Sequence, residues 1–260
     1  MRLPQRLIDS EGLKKSFAEQ VILGSTIGDG RLVKRNKKGG TALLMGHCKK
    51  QKEYLEWKVD ILKKAGFEFV NQEYENLYAG KYIMYQVGTR KYIELNDYYR
   101  MFYRGRTKVI RRNVLNLFEP LALAIWYQDD GSLFSDSFNS PRVNLATCCF
   151  TEKEHKMMCK YFATRWHMTV KPRITGKNYL TLHFGIEASK KFLDIVKPFI
   201  HSVMLYKITL VEKMSIEERN LKFMESGKEY QFEKGQKQLN TGRTWFKKDH
   251  PYYSQNLNGN

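Results

Sequence analysis

Residues 21–30, Val21-Ile22-Leu23-Gly24-Ser25-Thr26-Ile27-Gly28-Asp29-Gly30, carry an apolar, small-residue segment into an acidic turn. Residues 121–131, Leu121-Ala122-Leu123-Ala124-Ile125-Trp126-Tyr127-Gln128-Asp129-Asp130-Gly131, do the same a second time, with Asp130 lying 101 positions after Asp29. Asp-Gly is a common turn signal, and one such motif alone reads as an ordinary helix exit. Two of them, each behind an Ala- or Gly-containing apolar helix, predict helices that pack closely through small residues and end on neighbouring aspartates. Carboxylates gathered in that way repel unless cations lie between them. Paired carboxylates holding divalent metal suit phosphodiester chemistry.

Working outward, landmarks recur behind both acids. Strands are expected over residues 41–48 and 142–149, followed by helices over 51–65 and 151–166. Gly66 and His167, which close those helices, each stand 37 positions after their acid. Thr151 with Glu154 three residues on forms a capping box. Further strands are expected over 81–87 and 179–184, further helices over 93–103 and 187–199, and a last helix over 203–221. Each half therefore reads helix, strands, helix, strands, helix. The expected division is 1–119 and 120–225 for the two halves, with 226–260 a basic, aromatic C-terminal tail.

The 260-residue chain is 42% hydrophobic, enough for a sizeable core. Its 45 Lys plus Arg against 27 Asp plus Glu leave a formal net charge of +18. Such an excess opposes a compact state unless a polyanion neutralises it, which points to nucleic acid first and anionic membrane second. No apolar run approaches the roughly 20 residues of a spanning helix, and no signal-like core follows Met1. An intracellular protein, in cytoplasm or organelle matrix, is expected, with no membrane partner. Cys48, Cys148, Cys149 and Cys159 lack zinc-type spacing and read as reduced core or near-core thiols.

The two motifs, residues 23–30 and 123–131, resemble those of the single-chain LAGLIDADG homing endonucleases, and the resemblance spans about residues 19–210. Ile22-Leu23 stand where a small residue is usual second, and Ile125 and Trp126 where Gly and Leu are usual. The resemblance implies an α+β fold of two pseudo-symmetric αββαββα halves, with the motif helices at their interface and antiparallel sheets forming a DNA-binding saddle. It implies that Asp29 and Asp130 bind divalent metal, Mg²⁺ with Mn²⁺ able to substitute, helped by the main-chain carbonyls of Gly28 and Asp129. A basic residue near each acid is also implied. Lys108 lies 79 positions after Asp29 and Lys207 lies 77 after Asp130, nearly equivalent places that make both catalytic candidates.

A β-ribbon fits the major groove and presents alternate side chains to base edges. Arg31, Lys34, Arg35, Lys37 and Lys38 crowd the loop after the first motif, Lys81, Arg90 and Lys91 flank a later strand, and Arg142, Lys171, Arg173 and Lys177 recur in the second half. These are the DNA-contact candidates. The expected activity is a monomeric, site-specific double-strand DNA endonuclease with a long target and short 3′ overhangs, acting on an intron- or intein-less allele. Two alternatives stand beside it: a group I intron maturase whose partner is RNA, and a non-cutting DNA-binding regulator. An intein context is disfavoured because no protein-splicing blocks flank the repeats.

Overall fold

The computed structural model describes residues 13–34, 39–72, 84–135, 140–174 and 179–209. Within them the protein is α+β. Its first series is α1 (Leu13–Ile27), β1 (Arg31–Val33), β2 (Ala42–Cys48), α2 (Lys52–Lys64), β3 (Phe69–Gln72), β4 (Met84–Thr89) and α3 (Leu95–Phe102). A short ladder, β5 (Tyr103–Arg104) with β6 (Thr107–Lys108), and α4 (Arg112–Leu115) follow. The second series is α5 (Pro120–Asp130), β7 (Gly131–Ser135), β8 (Pro141–Leu145), α6 (Glu152–Trp166), β9 (Val170–Ile174), β10 (Leu180–Phe184) and α7 (Ile186–Val196). The two four-stranded sheets have matching antiparallel orders, β1-β2-β4-β3 and β7-β8-β10-β9.

The motif segments are the helices at the centre. α5 is apolar all round and buried from Leu121 to Gln128, as a helix enclosed on every side must be. It packs on α1. Gln20 takes the Glu119 N–H at 2.8 Å and donates to the Leu117 carbonyl at 3.0 Å, while further along Gly24 lies against Ala122 and Ile125, and Gly28 against Asp129. Residue numbers thus rise together along both helices, which run parallel and end side by side. A Cβ on Gly24 would stand 2.7 Å from the Ala122 carbonyl oxygen and 2.8 Å from Ile125 Cβ. Gly24 therefore makes the room that Ile125 takes. Trp126 turns instead to Phe118 and Phe162, with ring centroids 6.2 Å away in each case.

The sheets cover this pair with their apolar faces. Leu43, Met45 and His47 alternate inward along β2, and Val143 and Leu145 along β8. Phe162, Phe184 and Phe192 join α6, β10 and α7 through centroid spacings of 5.0 and 4.9 Å. Burial of each ring contributes about 1.5–3 kcal/mol.

The helix ends follow local rules. The expected capping box is present: Thr151 Oγ1 accepts from the Glu154 N–H and Glu154 Oε2 accepts from the Thr151 N–H. Gly66, after α2, has φ +88°, where a glycine meets no steric cost. His167, its counterpart after α6, adopts φ +53° with a Cβ.

Three expectations are corrected or narrowed. The strand foreseen over 142–149 ends at Leu145, because Thr147 accepts from the Phe150 N–H and pairs its hydroxyl with His155 at 2.8 Å, closing a turn. Cys148 and Cys149 consequently lie exposed on that turn rather than in the core, while Cys48 and Cys159 are half-buried. The helix foreseen from 203 is 3₁₀ over Ser202–Lys207, and 210–221 lie outside the described residues, as does the tail. Among the described residues no helix is long and apolar enough to cross a membrane.

Candidate active site

Because α1 and α5 run parallel, their C-terminal turns share one place. Each helix end leaves carbonyls without intrahelical partners and gathers negative partial charge. A lysine answers at each. Lys108, at the end of β6, donates to the carbonyls of Gly28 at 3.1 Å and Gly30 at 3.2 Å. Lys207, at the end of the 3₁₀ segment, donates to those of Asp129 at 3.3 Å and Gly131 at 3.0 Å. Each ammonium thus straddles one acid, Asp29 or Asp130. Tyr127 fixes the second of these segments by donating to the Lys207 carbonyl.

The acids are held in a poorly solvated place. The Asp130 carboxyl is pushed up to about 7, first by desolvation and then by the charges of Asp29 and Asp129, against the pull of Lys108 and Lys207. Asp29 rises to about 6, again by desolvation first, then by Asp129, opposed by Lys58, Lys207 and Lys108. Its side chain is 47% exposed, so solvent moderates this rise. Desolvation also lowers both lysines, Lys108 and Lys207, from their ordinary value.

A third carboxylate lies beneath. Asp129 has a fully buried side chain whose Oδ1 accepts from Tyr54 Oη at 2.9 Å and from Lys58 Nζ at 3.1 Å. Its Oδ2 accepts from the Asp29 N–H at 3.3 Å. Lys58, on α2, is itself fully buried, with Nζ 2.8 Å from His47 Nε2. Burial first, and the Lys58 charge second, lower His47 to about 4, so the ring is neutral near pH 7. The sequence reading singled out none of Tyr54, Lys58 and His47 as site residues. The available signal was Lys58 itself, placed between Tyr54 and Leu62 on the apolar stripe of α2.

Asp29, His47 and Asp129 bring ligand atoms within 4.8 Å of one another, a different set from Asp29 and Asp130. His47 Nε2 has its one lone pair engaged by Lys58, and the Asp129 side chain is fully buried with both oxygens bonded, so Asp29 and Asp130 are the carboxylates left for a cation; the Gly28 and Asp129 carbonyls keep a second lone pair beside their lysine bonds. The donor set they offer, carboxylates with the Gly28 and Asp129 carbonyls beside them, is all oxygen and fits a hard divalent ion. Mutual repulsion between Asp29 and Asp130 is what such an ion relieves.

The basic residues divide. Arg142, Lys171 and Arg173 stand on one sheet, with His183 across from Lys171 in the ladder and lowered by desolvation and then by Arg173 and Arg142. Arg142, Lys171, His183, Lys190 and Lys191 line an open groove of 990 Å³, which does not contain the acidic turns. Arg31 is exposed on β1 beside buried Leu32, and Lys34 is half-buried after it. Lys91 is exposed, and exposed Arg90 forms an ion pair with Glu68 at 2.7 Å, away from the Arg142 group in sequence and sheet. Arg35, Lys37, Lys38, Lys81 and Lys177 lie outside the described residues.

Residues 19–192 match the pattern of the LAGLIDADG DNA endonuclease family. Over 200 residues the chain is 31% identical to protein RecA of Mycobacterium shimoidei, covering 73% of this chain and 45% of that protein. Over 206 residues it is 28% identical to the cytochrome b mRNA maturase bI2 of Saccharomyces cerevisiae, covering 72% of this chain and 46% of the maturase. The chain thus spans about half the length of these curated relatives. In fold it is similar to the homing endonuclease I-WcaI bound to its DNA recognition sequence, with a TM-score of 0.65, 19% identity, and coverage of 75% of this chain and 87% of that one.

Proposed function

The chain belongs to the LAGLIDADG DNA endonuclease family, and from that premise we propose that it is a divalent-metal-dependent, site-specific double-strand DNA endonuclease with a long target and short 3′ overhangs. The observation that carries this reading is the doubled turn: Asp29 under Lys108 and Asp130 under Lys207, side by side at the ends of parallel helices. Two scissile strands need two such centres. A single chain then suffices as a monomer, with residues 1–119 and 120–225 each supplying one.

In this mechanism Asp29 and Asp130, with the Gly28 and Asp129 carbonyls, would hold Mg²⁺ or Mn²⁺, which would supply Lewis-acid chemistry, making the attacking water more acidic and offsetting charge on the phosphate. Lys108 and Lys207 fix the turns through their carbonyl bonds and hold positive charge where negative charge develops on the phosphoryl oxygens. The sheet bearing Arg142, Lys171, Arg173 and His183 presents cationic and hydrogen-bonding side chains of the type that meet phosphates and guanine edges. Arg31 does the same on the first sheet, and Lys34 just beyond its first strand.

The test is incubation with Mg²⁺ and a randomised duplex library, followed by sequencing of cut ends. Discrete ends at one long motif, absent with an Asp29→Asn, Asp130→Asn control, support the reading. Intact DNA with either Mg²⁺ or Mn²⁺ contradicts it.

A second reading, an intron RNA maturase, is favoured by the 28% identity to the yeast maturase and is compatible with the net charge of +18. It predicts faster splicing of a group I intron transcript when protein is added. An unchanged splicing rate removes it.

A further inference from the structure

We propose that Asp129, Lys58 and Tyr54 are positioning residues that hold the Asp29 turn from across the helix pair, so that the two cleavage centres are unequal and one DNA strand depends on them far more than the other. This rests on the endonuclease reading above.

The inequality begins with one exchange. The residue before the acid is Gly28 in the first turn and Asp129 in the second. A Cβ on Gly28 would lie 2.7 Å from both Asp129 Cβ and Asp129 Oδ2, so the glycine is what admits the Asp129 side chain. Having entered, that side chain binds the Asp29 N–H through Oδ2 at 3.3 Å. Gly28 has no side chain to return the contact, and among the described residues the Asp130 turn receives no equivalent.

Beneath Asp129 a hydrogen-bonded chain runs to the protein surface. Lys58 Nζ donates to Asp129 Oδ1 and to His47 Nε2, His47 Nδ1 pairs with Gln51 Oε1 at 3.2 Å, and Gln51 Nε2 donates to Tyr206 Oη at 2.9 Å. The partners fix the neutral His47 tautomer with its proton on Nδ1. Tyr206 adjoins Lys207, so the chain ties the Asp29 turn to the 3₁₀ segment that serves the other acid.

Among the described residues the second series shows no equivalent chain. Positions 18 and 29 after Asp29 are His47 and Lys58; those after Asp130 are Cys148 and Cys159. Position 25, Tyr54 in the first series, is His155 in the second, and it is engaged by Thr147 Oγ1 and the Thr151 carbonyl. Among the described residues a fully buried ammonium therefore stands behind Asp29 alone. An isolated buried charge is costly and Lys58 persists because Asp129, Tyr54 and His47 surround it.

The experiment uses full-length protein, Mg²⁺ and a duplex carrying the site recovered from the library, with each strand end-labelled separately. Lys108→Met identifies the strand served by the Asp29 turn as the one it slows more. Lys58→Met is expected to slow that strand by roughly tenfold or more while the other changes by less than about threefold, giving a nicked intermediate. Tyr54→Phe, which keeps the ring and removes one bond to Asp129, is expected to shift the same ratio in the same direction by roughly threefold, and decides the matter if Lys58→Met does not fold. A merely structural role would slow both strands alike, and equal slowing or no slowing in folded Tyr54→Phe overturns the proposal. Wild-type protein that cuts neither strand overturns the endonuclease reading instead.

Discussion

Lys108 stands to the Asp29 turn as Lys207 stands to the Asp130 turn: each Nζ donates to the carbonyls on either side of its acid, at 3.0–3.3 Å. Both lysines come from segments following their own α-β-β-α-β-β-α series, one from a two-residue strand and one from a 3₁₀ turn. Different local structures thus deliver the same group to the same place.

Replacing either lysine by methionine removes a half-buried donor from two carbonyls. Lys108→Met and Lys207→Met are expected to lower stability by about 1–2 kcal/mol in urea titrations and to slow cleavage by roughly 100-fold or more. A cleavage rate within twofold of wild type would show the lysines to be structural.

Gly24 sets the helix approach. Gly24→Ala places a Cβ 2.7 Å from the Ala122 carbonyl oxygen and 2.8 Å from Ile125 Cβ, neither of them a flexible chain end. A loss of about 1–3 kcal/mol is expected from chemical denaturation, and the adjoining acidic turns should lose activity with it.

The raised acids make metal-free stability depend on pH. Asp130, at about 7 in the folded protein and 3.8 in its ordinary state, binds a proton more tightly when folded. Its contribution is therefore greatest below pH 4 and is lost as pH rises through 7. Asp29 acts in the same direction up to about 6, and His47, lowered to about 4, acts oppositely between 4 and 6.5. The comparison of wild type with Asp130→Asn isolates Asp130: the variant's advantage in thermal midpoint should grow from pH 4 to 7 and shrink when Mg²⁺ is added. A pH-independent difference would contradict the assignment.

His167 closes α6 at φ +53°, where a Cβ costs about 1 kcal/mol and glycine nothing. His167→Gly is expected to raise stability by about 0.5–1 kcal/mol in thermal or urea unfolding. Thr151→Ala, at the other end of the same helix, should cost about 1 kcal/mol.

Much of this architecture was legible in the chain. The motif helices and the Thr151 capping box follow from spacing and local chemistry, and both have their expected geometry; Lys108 and Lys207, picked out by matched offsets once the resemblance implies a basic residue near each acid, each donate to the carbonyls of one acidic turn. What spacing could not convey was tertiary burial of charge. Lys58 reads as one lysine among many until α2 is docked, when its place between Tyr54 and Leu62 puts it underneath Asp129. From spacing Asp129 offers only its carbonyl, since its side chain acquires a role through the space left by Gly28. The turn after Leu145 was hidden for a similar reason, being set by the Thr147–His155 bond and not by strand propensity.

The most direct test of the central claim is the conversion of a supercoiled plasmid carrying the selected site, in Mg²⁺, by wild type, Asp29→Asn and Asp130→Asn, with plasmid binding measured alongside. The account predicts linear product from wild type, and from each variant a double-strand cleavage rate lower by roughly 1,000-fold with binding retained. Linearisation by either variant at the wild-type rate would contradict it.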